Sequence, residues 1–191
     1  GLGVTGGVYD AIWKIVPSRS GQTTRGYDMT RLMQIQHDEA EDSQIAQVLL
    51  DNTDGVLTSL DFEQFQGIIY YGYNTAVSRT AWVANTAYSV GDYVKPTTAN
   101  GYQYRCTVAG TSHVTTEPTW GTALGVTQTD GTVTWEMDGN AGDEYSPTAP
   151  LKVTGQEFIS SQTQLVCRLY LIGLMNQLDQ DRAIAAYPPP A

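Results

Sequence analysis

Residues 82–106 read WVANTAYSVGDYVKPTTANGYQYRC. Aromatic and turn residues follow one another every few positions: Trp82, Tyr88, Gly91-Asp92, Gly101, then Tyr102 and Tyr104. The stretch continues into GYQYRCTV (101–108), which alternates Tyr102, Tyr104, Cys106 and Val108 with Gln103, Arg105 and Thr107. GTVTWEM (131–137) likewise alternates Val133, Trp135 and Met137 with Thr132, Thr134 and Glu136. A period of two is the signature of a strand with one buried face. Asn100-Gly101 and Asp130-Gly131 are strong hairpin dipeptides, and Gly91-Asp92 supplies a further turn. Three of the four tryptophans lie here, so residues 80–140 form a compact β-module of their own.

The chain reads differently on either side. VYDAIWKIV (8–16) puts Tyr9, Ala11, Trp13 and Ile15 on one face of a strand. TRLMQIQH (30–37) groups Met33 and Ile35, with Arg31 and His37 at the ends of the same face. A long polar loop, PSRSGQTTRGYD (17–28), separates the two. QIAQVLLDNTDGVL (44–57) predicts a strand, an Asn-Thr-Asp-Gly turn and a strand out again. FQGIIYYGYN (65–74) is a further strand. PLKVTGQEFISSQTQLVCRLYLIGL (150–174) predicts two strands around a turn at 160–164; the second is apolar on both sides, which predicts burial on both faces. MNQLDQDRAIAAY (175–187) reads as a short terminal helix, and residues 188–191 as a Pro-rich end or linker. The expected architecture is mainly β: a discontinuous barrel or sandwich-like domain, 1–78 with 142–187, interrupted by the module. Insertions of this kind are tolerated at exposed turns.

Composition narrows the functional classes. Hydrophobic residues make up 41% of the 191 and charged residues 16%, with a net charge of −10. A polyanion is repelled by such a chain, so no nucleic-acid partner is expected. An anionic membrane surface is disfavoured for the same reason, and no apolar run reaches membrane-spanning length, so no insertion is expected. The start, GLGVTGGVYD, lacks the basic and apolar regions of a signal peptide. That start without Met and the YPPPA end suggest a piece of a longer protein. Cys106 and Cys167 each fall in an alternating run, where a lone Cys acts as a small buried hydrophobe; their spacing leaves a disulfide open.

The order Trp82, Tyr88, Gly91-Asp92, Val94, Asn100-Gly101, Tyr104, Cys106 with Ala109-Gly110-Thr111, Glu117-Pro118 with Trp120, Gly125 and Asp130-Gly131-Thr132-Val133 with Trp135 resembles a small module common in phage tail and tail-fibre proteins. That module is itself similar to the chitin- and cellulose-binding modules of secreted glycosidases. The flanks, through LLDNTDG (49–55), YYGYNT (70–75) and the later strand pair, resemble the β-rich domain near the start of phage tail-tip or baseplate-hub proteins. The resemblance implies a place in the virion, other tail proteins as partners, a homo-oligomer (most often a trimer), and cell-surface polysaccharide as the insert's ligand. Two readings compete with glycan binding: an insert that is only a spacer or subunit contact, and a secreted polysaccharide-binding or -degrading protein. A tail-associated lysin is a further rival.

A sugar-binding face needs flat aromatics held outward to stack on pyranose C–H faces. A unit of this size also needs large side chains inside. Trp82, Tyr88, Tyr104 and Trp135 recur with the turn signals and are assigned to the module core. Tyr93, Tyr102 and Trp120 are the candidates for the binding face, with core or subunit contact as their alternative. No metal is expected. A calcium loop begun at Asp51 would need ligands where Thr53, Gly55 and Phe62 stand, and HDEAED (37–42), with His37 among four acids, reads as a solvated turn. No catalytic residues and no cofactor are expected: His37 and His113 are the only histidines, no G-x-S-x-G or phosphate loop occurs, and neither Cys has a His beside it.

Overall fold

The computed structural model describes residues 11–22, 24–41, 43–174 and 176. Five strands come first: β1 (Ala11–Ser18), β2 (Tyr27–Asp28), β3 (Leu32–Ala40), β4 (Ser43–Asp51) and β5 (Gln66–Asn74). The next seven are short or irregularly spaced: β6 (Thr80–Ala81), β7 (Ala87–Tyr88), β8 (Tyr93–Lys95), β9 (Tyr102–Val108), β10 (Gly110–Thr111), β11 (Thr127–Asp130) and β12 (Val133–Asn140). β13 (Asp143–Pro147), β14 (Leu151–Ser160) and β15 (Leu165–Gly173) follow. The fold is mainly β and sandwich-like in class. None of its sheets closes on itself among the described residues, so it is not a barrel.

The chain divides into two compact units. One comprises Lys14–Ile69 and, of the described residues, 147–174 and 176. The other comprises Tyr70–Ser146 with residues 11–13.

In the first unit the strand order is β2-β1-β5-β14-β15-β4-β3. β4 and β15 pair antiparallel over seven residues, from Ile45↔Ile172 to Asp51↔Val166. Their alternation places Ala46, Val48 and Leu50 with Cys167, Leu169 and Leu171 in the core, joined by Ile15, Ile69, Leu151 and Val153. Each such large aliphatic side chain contributes about 1.5–3 kcal/mol when fully buried. The 161–164 turn between β14 and β15 is closed by the Ser161 N–H donating to the Gln164 carbonyl at 2.9 Å.

Several local expectations change in the structure. No strand follows the Asn-Thr-Asp-Gly turn; Val56–Ser59 is a 3-10 turn instead. The cause is Asn52, whose buried side chain accepts from the Leu57 N–H at 2.8 Å and donates to Thr58 Oγ1 at 3.0 Å, curling the chain back. On β3 it is Leu32 that is buried, while Met33 is 42% exposed. A bulge between Leu32 and Gln34 shifts the pairing with β4 by one residue, and a one-residue shift exchanges the faces. β15 is buried on both sides only at its start, where Val166 joins Cys167; further on Leu169 and Leu171 are buried whereas Arg168, Tyr170 and Ile172 stay half-exposed. Polar pairing keeps that face at the surface, since Glu157 binds both Arg168 at 3.3 Å and the Tyr170 hydroxyl at 2.9 Å. β1 departs the other way, with Lys14, Ile15 and Val16 all buried. The polar loop contains β2, which pairs with β1 through Lys14↔Asp28 and Ile15↔Tyr27. Tyr9, Asp42, nearly all of the 175–187 helix and the 188–191 end lie outside the described residues.

In the second unit, β11-β12-β9-β8-β6 form a five-stranded sheet and β10-β7 a two-stranded one; the end of β5 pairs with β13. The core holds Trp82, Val94, Tyr104, Cys106, Leu124, Val133, Trp135 and Met137. Gly131 turns the β11–β12 hairpin at φ +62°, and a Cβ there would run into the Thr111 carbonyl. Only glycine meets both demands at no steric cost.

Candidate functional site

The five-stranded sheet has two chemically distinct faces. In the β8–β9 pairing Val94 stands opposite Tyr104, and Tyr93 opposite Arg105. Side chains paired in register share a face. One face is therefore aromatic and apolar, the other charged.

On the aromatic face Trp135 is fully buried, with Tyr88 packed edge-on at 4.8 Å between ring centroids. Trp120 lies over Tyr104 at 4.3 Å with 43° between planes, and 6.1 Å from Trp135. It comes from the segment between Thr111 and Thr127, which carries no strand. Two polar anchors organise this face. The Asp130 carboxylate, 3% exposed, accepts both the Trp82 and Trp135 indole N–H groups on Oδ2 and the His113 backbone N–H on Oδ1. The Tyr104 hydroxyl donates to the Gly121 carbonyl at 3.0 Å and accepts from Asn100 Nδ2 at 2.8 Å.

The charged face is equally ordered. Arg105 pairs with Glu136 at 3.2 Å and Asp138 at 3.5 Å. The Tyr93 hydroxyl donates to Asp138 at 3.2 Å, and the Arg79 guanidinium lies 4.2 Å from the Tyr93 ring centroid. Burial, with the Asp138 charge beside it, pushes the Tyr93 phenol well above its ordinary range. Arg79 also reaches Glu144 at 2.8 Å. Fully buried Gln103 accepts from Arg79 Nε at 2.9 Å and the Gly142 N–H at 3.1 Å, and donates to the Asp143 carbonyl at 2.6 Å.

The three candidate binding residues therefore separate. Tyr102 and Trp120 are half-buried and pack against the aromatic core. Tyr93 is half-buried in the charged cluster. Of the assigned core residues, Trp82, Tyr104 and Trp135 are buried, and Tyr88 is half-buried against them with its hydroxyl on Val83. Sequence reasoning missed Asp130, Gln103 and Arg79 as organising groups. Asp130 reads as a turn residue, and Gln103 falls on the alternation's polar side. The burial of Gln103 and Asp130 is set by the strands and segments packed around them, not by their local sequence.

The remaining candidates have structural surroundings. The Asp51 carboxylate caps its own turn through the Thr53 N–H at 2.9 Å, and Asp54 pairs with Arg31. His37 Nε2 lies 3.0 Å from Gln44 Nε2. Cys106 and Cys167 are free and buried, and burial pushes the Cys167 thiol up to about 11. No group of three or more His, Cys, Asp or Glu is placed to hold a metal, and no helix is long and apolar enough to cross a membrane, among the described residues. No protein-family model, curated protein or solved structure matches the chain.

Proposed function

We propose that the protein is a structural component of a phage tail tip or baseplate, and that its 70–146 unit binds a cell-surface polysaccharide. The binding face is Trp120 with Tyr102; Tyr93, on the opposite face, serves the charged cluster. One observation carries the glycan reading: Trp120 is backed by Tyr104 at 4.3 Å yet remains partly exposed. A rigid indole with a free side is what stacking on a sugar ring requires. The place in a virion, with other tail proteins and further copies of the chain as partners, a trimer foremost, rests on the sequence resemblance. Copies held together would raise the avidity of weak single sites.

The test is binding of the whole chain, free and displayed multivalently, to bacterial surface polysaccharides, beside a Trp120→Ala, Tyr102→Ala double variant with unchanged folding. Selective loss of binding in the variant supports the reading. Absence of binding in the multivalent wild type sinks it, and the insert is then a spacer or a subunit contact. The partial burial of Tyr102 and Trp120 fits that second reading too, since a neighbouring subunit would cover the same surface.

A further inference from the structure

Stacking against Tyr104 does not by itself fix Trp120. A ring pair at 4.3 Å prefers particular geometries only weakly, which leaves rotation about the axis joining the rings soft. The rotation is stopped by Glu117. Its Oε1 accepts the Trp120 indole N–H at 2.7 Å and the Thr97 backbone N–H at 2.8 Å, and its Oε2 accepts the Thr97 hydroxyl. One carboxylate thus ties together two segments without strand structure, the one leading into β9 and the one carrying Trp120. Hydrogen bonds to an ionised acceptor are roughly twice as strong as neutral ones. Pro118, directly after Glu117, narrows the backbone freedom of both residues, which shortens the slack between the clamp and the indole.

We infer that Glu117 is a positioning residue: it sets the plane of the Trp120 indole, and so pre-forms the surface the polysaccharide meets. This rests on the glycan reading for its consequence, though the clamp stands on geometry alone. Preorganisation matters because ordering a side chain during binding subtracts from affinity. Burial raises the Glu117 carboxyl and the bonds from Thr97 and Trp120 more than offset it, so the group sits below its usual range and is ionised at neutral pH.

The experiment uses the whole chain with nitrogen-15 in its tryptophans. The Trp120 indole resonance is assigned by its loss in Trp120→Phe. In Glu117→Ala it is expected to move and broaden while the Trp82 and Trp135 resonances, held by Asp130, stay in place. Retention on chitin, used as the probe alongside bacterial polysaccharides, should fall about tenfold. Glu117→Gln should restore both readouts, since its amide oxygen still accepts the indole N–H. An unmoved Trp120 resonance in Glu117→Ala overturns the clamp. A moved resonance with wild-type retention overturns the positioning role. A wild type that binds no polysaccharide removes the glycan reading and the positioning role with it, and the resonances still decide whether Glu117 holds the indole.

Discussion

Trp82 and Trp135 converge on a single oxygen: their indole N–H groups reach Oδ2 of Asp130 at 2.7 and 3.0 Å. Trp82 lies just after β6 and Trp135 in β12, so one carboxylate joins the two ends of the unit's sequence inside its core. The other oxygen takes the His113 N–H at 2.8 Å. Three donors satisfy a charge that would otherwise be prohibitive to bury. Asp130→Ala strands all three and should destabilise the 70–146 unit by about 3 kcal/mol. Asp130→Asn keeps one acceptor oxygen and should lose less. Urea unfolding followed by tryptophan fluorescence reads both; equal stability of Asp130→Ala and wild type would show that the carboxylate is not the anchor.

Gln103 makes a parallel case on the charged face. Its amide serves Arg79, Gly142 and Asp143 from a position with no solvent exposure. Gln103→Leu has nearly the same size but leaves the Arg79 Nε and Gly142 N–H donors unpaired, while the Asp143 carbonyl keeps its bond from the Arg79 guanidinium at 3.1 Å. A loss of about 2–4 kcal/mol is expected, with the Trp120 resonance unmoved because that indole lies on the other face. A loss below 1 kcal/mol would mean that water replaces the amide.

These two residues mark where legibility in the sequence ends. The alternation of Val133, Trp135 and Met137, and of Tyr104 and Cys106, is a direct image of the buried face, since the period of two is a property of the strand itself. The faces of β3 were not legible, because the Leu32–Gln34 bulge is decided by the partner strand. Nor was the turn after Asn52, where a side-chain amide outcompetes a continuing strand. Gln103 and Tyr93 share this problem. Alternation gives a face, but only the neighbouring strand and the 74–79 and 141–145 segments say whether that face is wet. The division of Tyr93 from Tyr102 and Trp120 follows from register, which no local pattern encodes.

Acid should act on the turn after β4 in a defined window. Arg31 donates to Asp54 through both terminal nitrogens, at 3.1 and 2.5 Å. This pairing, helped by the Val56 N–H, lowers the Asp54 carboxyl from 3.8 to about 2. A folded value below the unfolded one means the stabilisation is present above about 3.8 and is lost as pH falls towards 2. Following the Asp54 side-chain carbon by NMR should give a midpoint near 2, rising towards 3.8 in Arg31→Gln. The same midpoint in both proteins would exclude the guanidinium as the cause.

Charge sets the kind of polysaccharide the proposed face should accept. Residues 80–140 hold five carboxylates (Asp92, Glu117, Asp130, Glu136, Asp138) against Lys95 and Arg105. Arg105 is already engaged by Glu136 and Asp138, and Lys95 Nζ lies 3.2 Å from the Ser78 hydroxyl. With the chain at −10 overall and five carboxylates against two cations in residues 80–140, a polymer of uronic or sialic acids meets net repulsion that Lys95 offsets only in part. Neutral polysaccharide should therefore be retained at low salt and anionic polysaccharide rejected. Salt should narrow the gap, because screening at 0.15 M ionic strength acts beyond about 8 Å. Retention of an anionic polymer that weakens as salt rises would contradict this and would require a basic patch that the 70–146 unit does not display among the described residues.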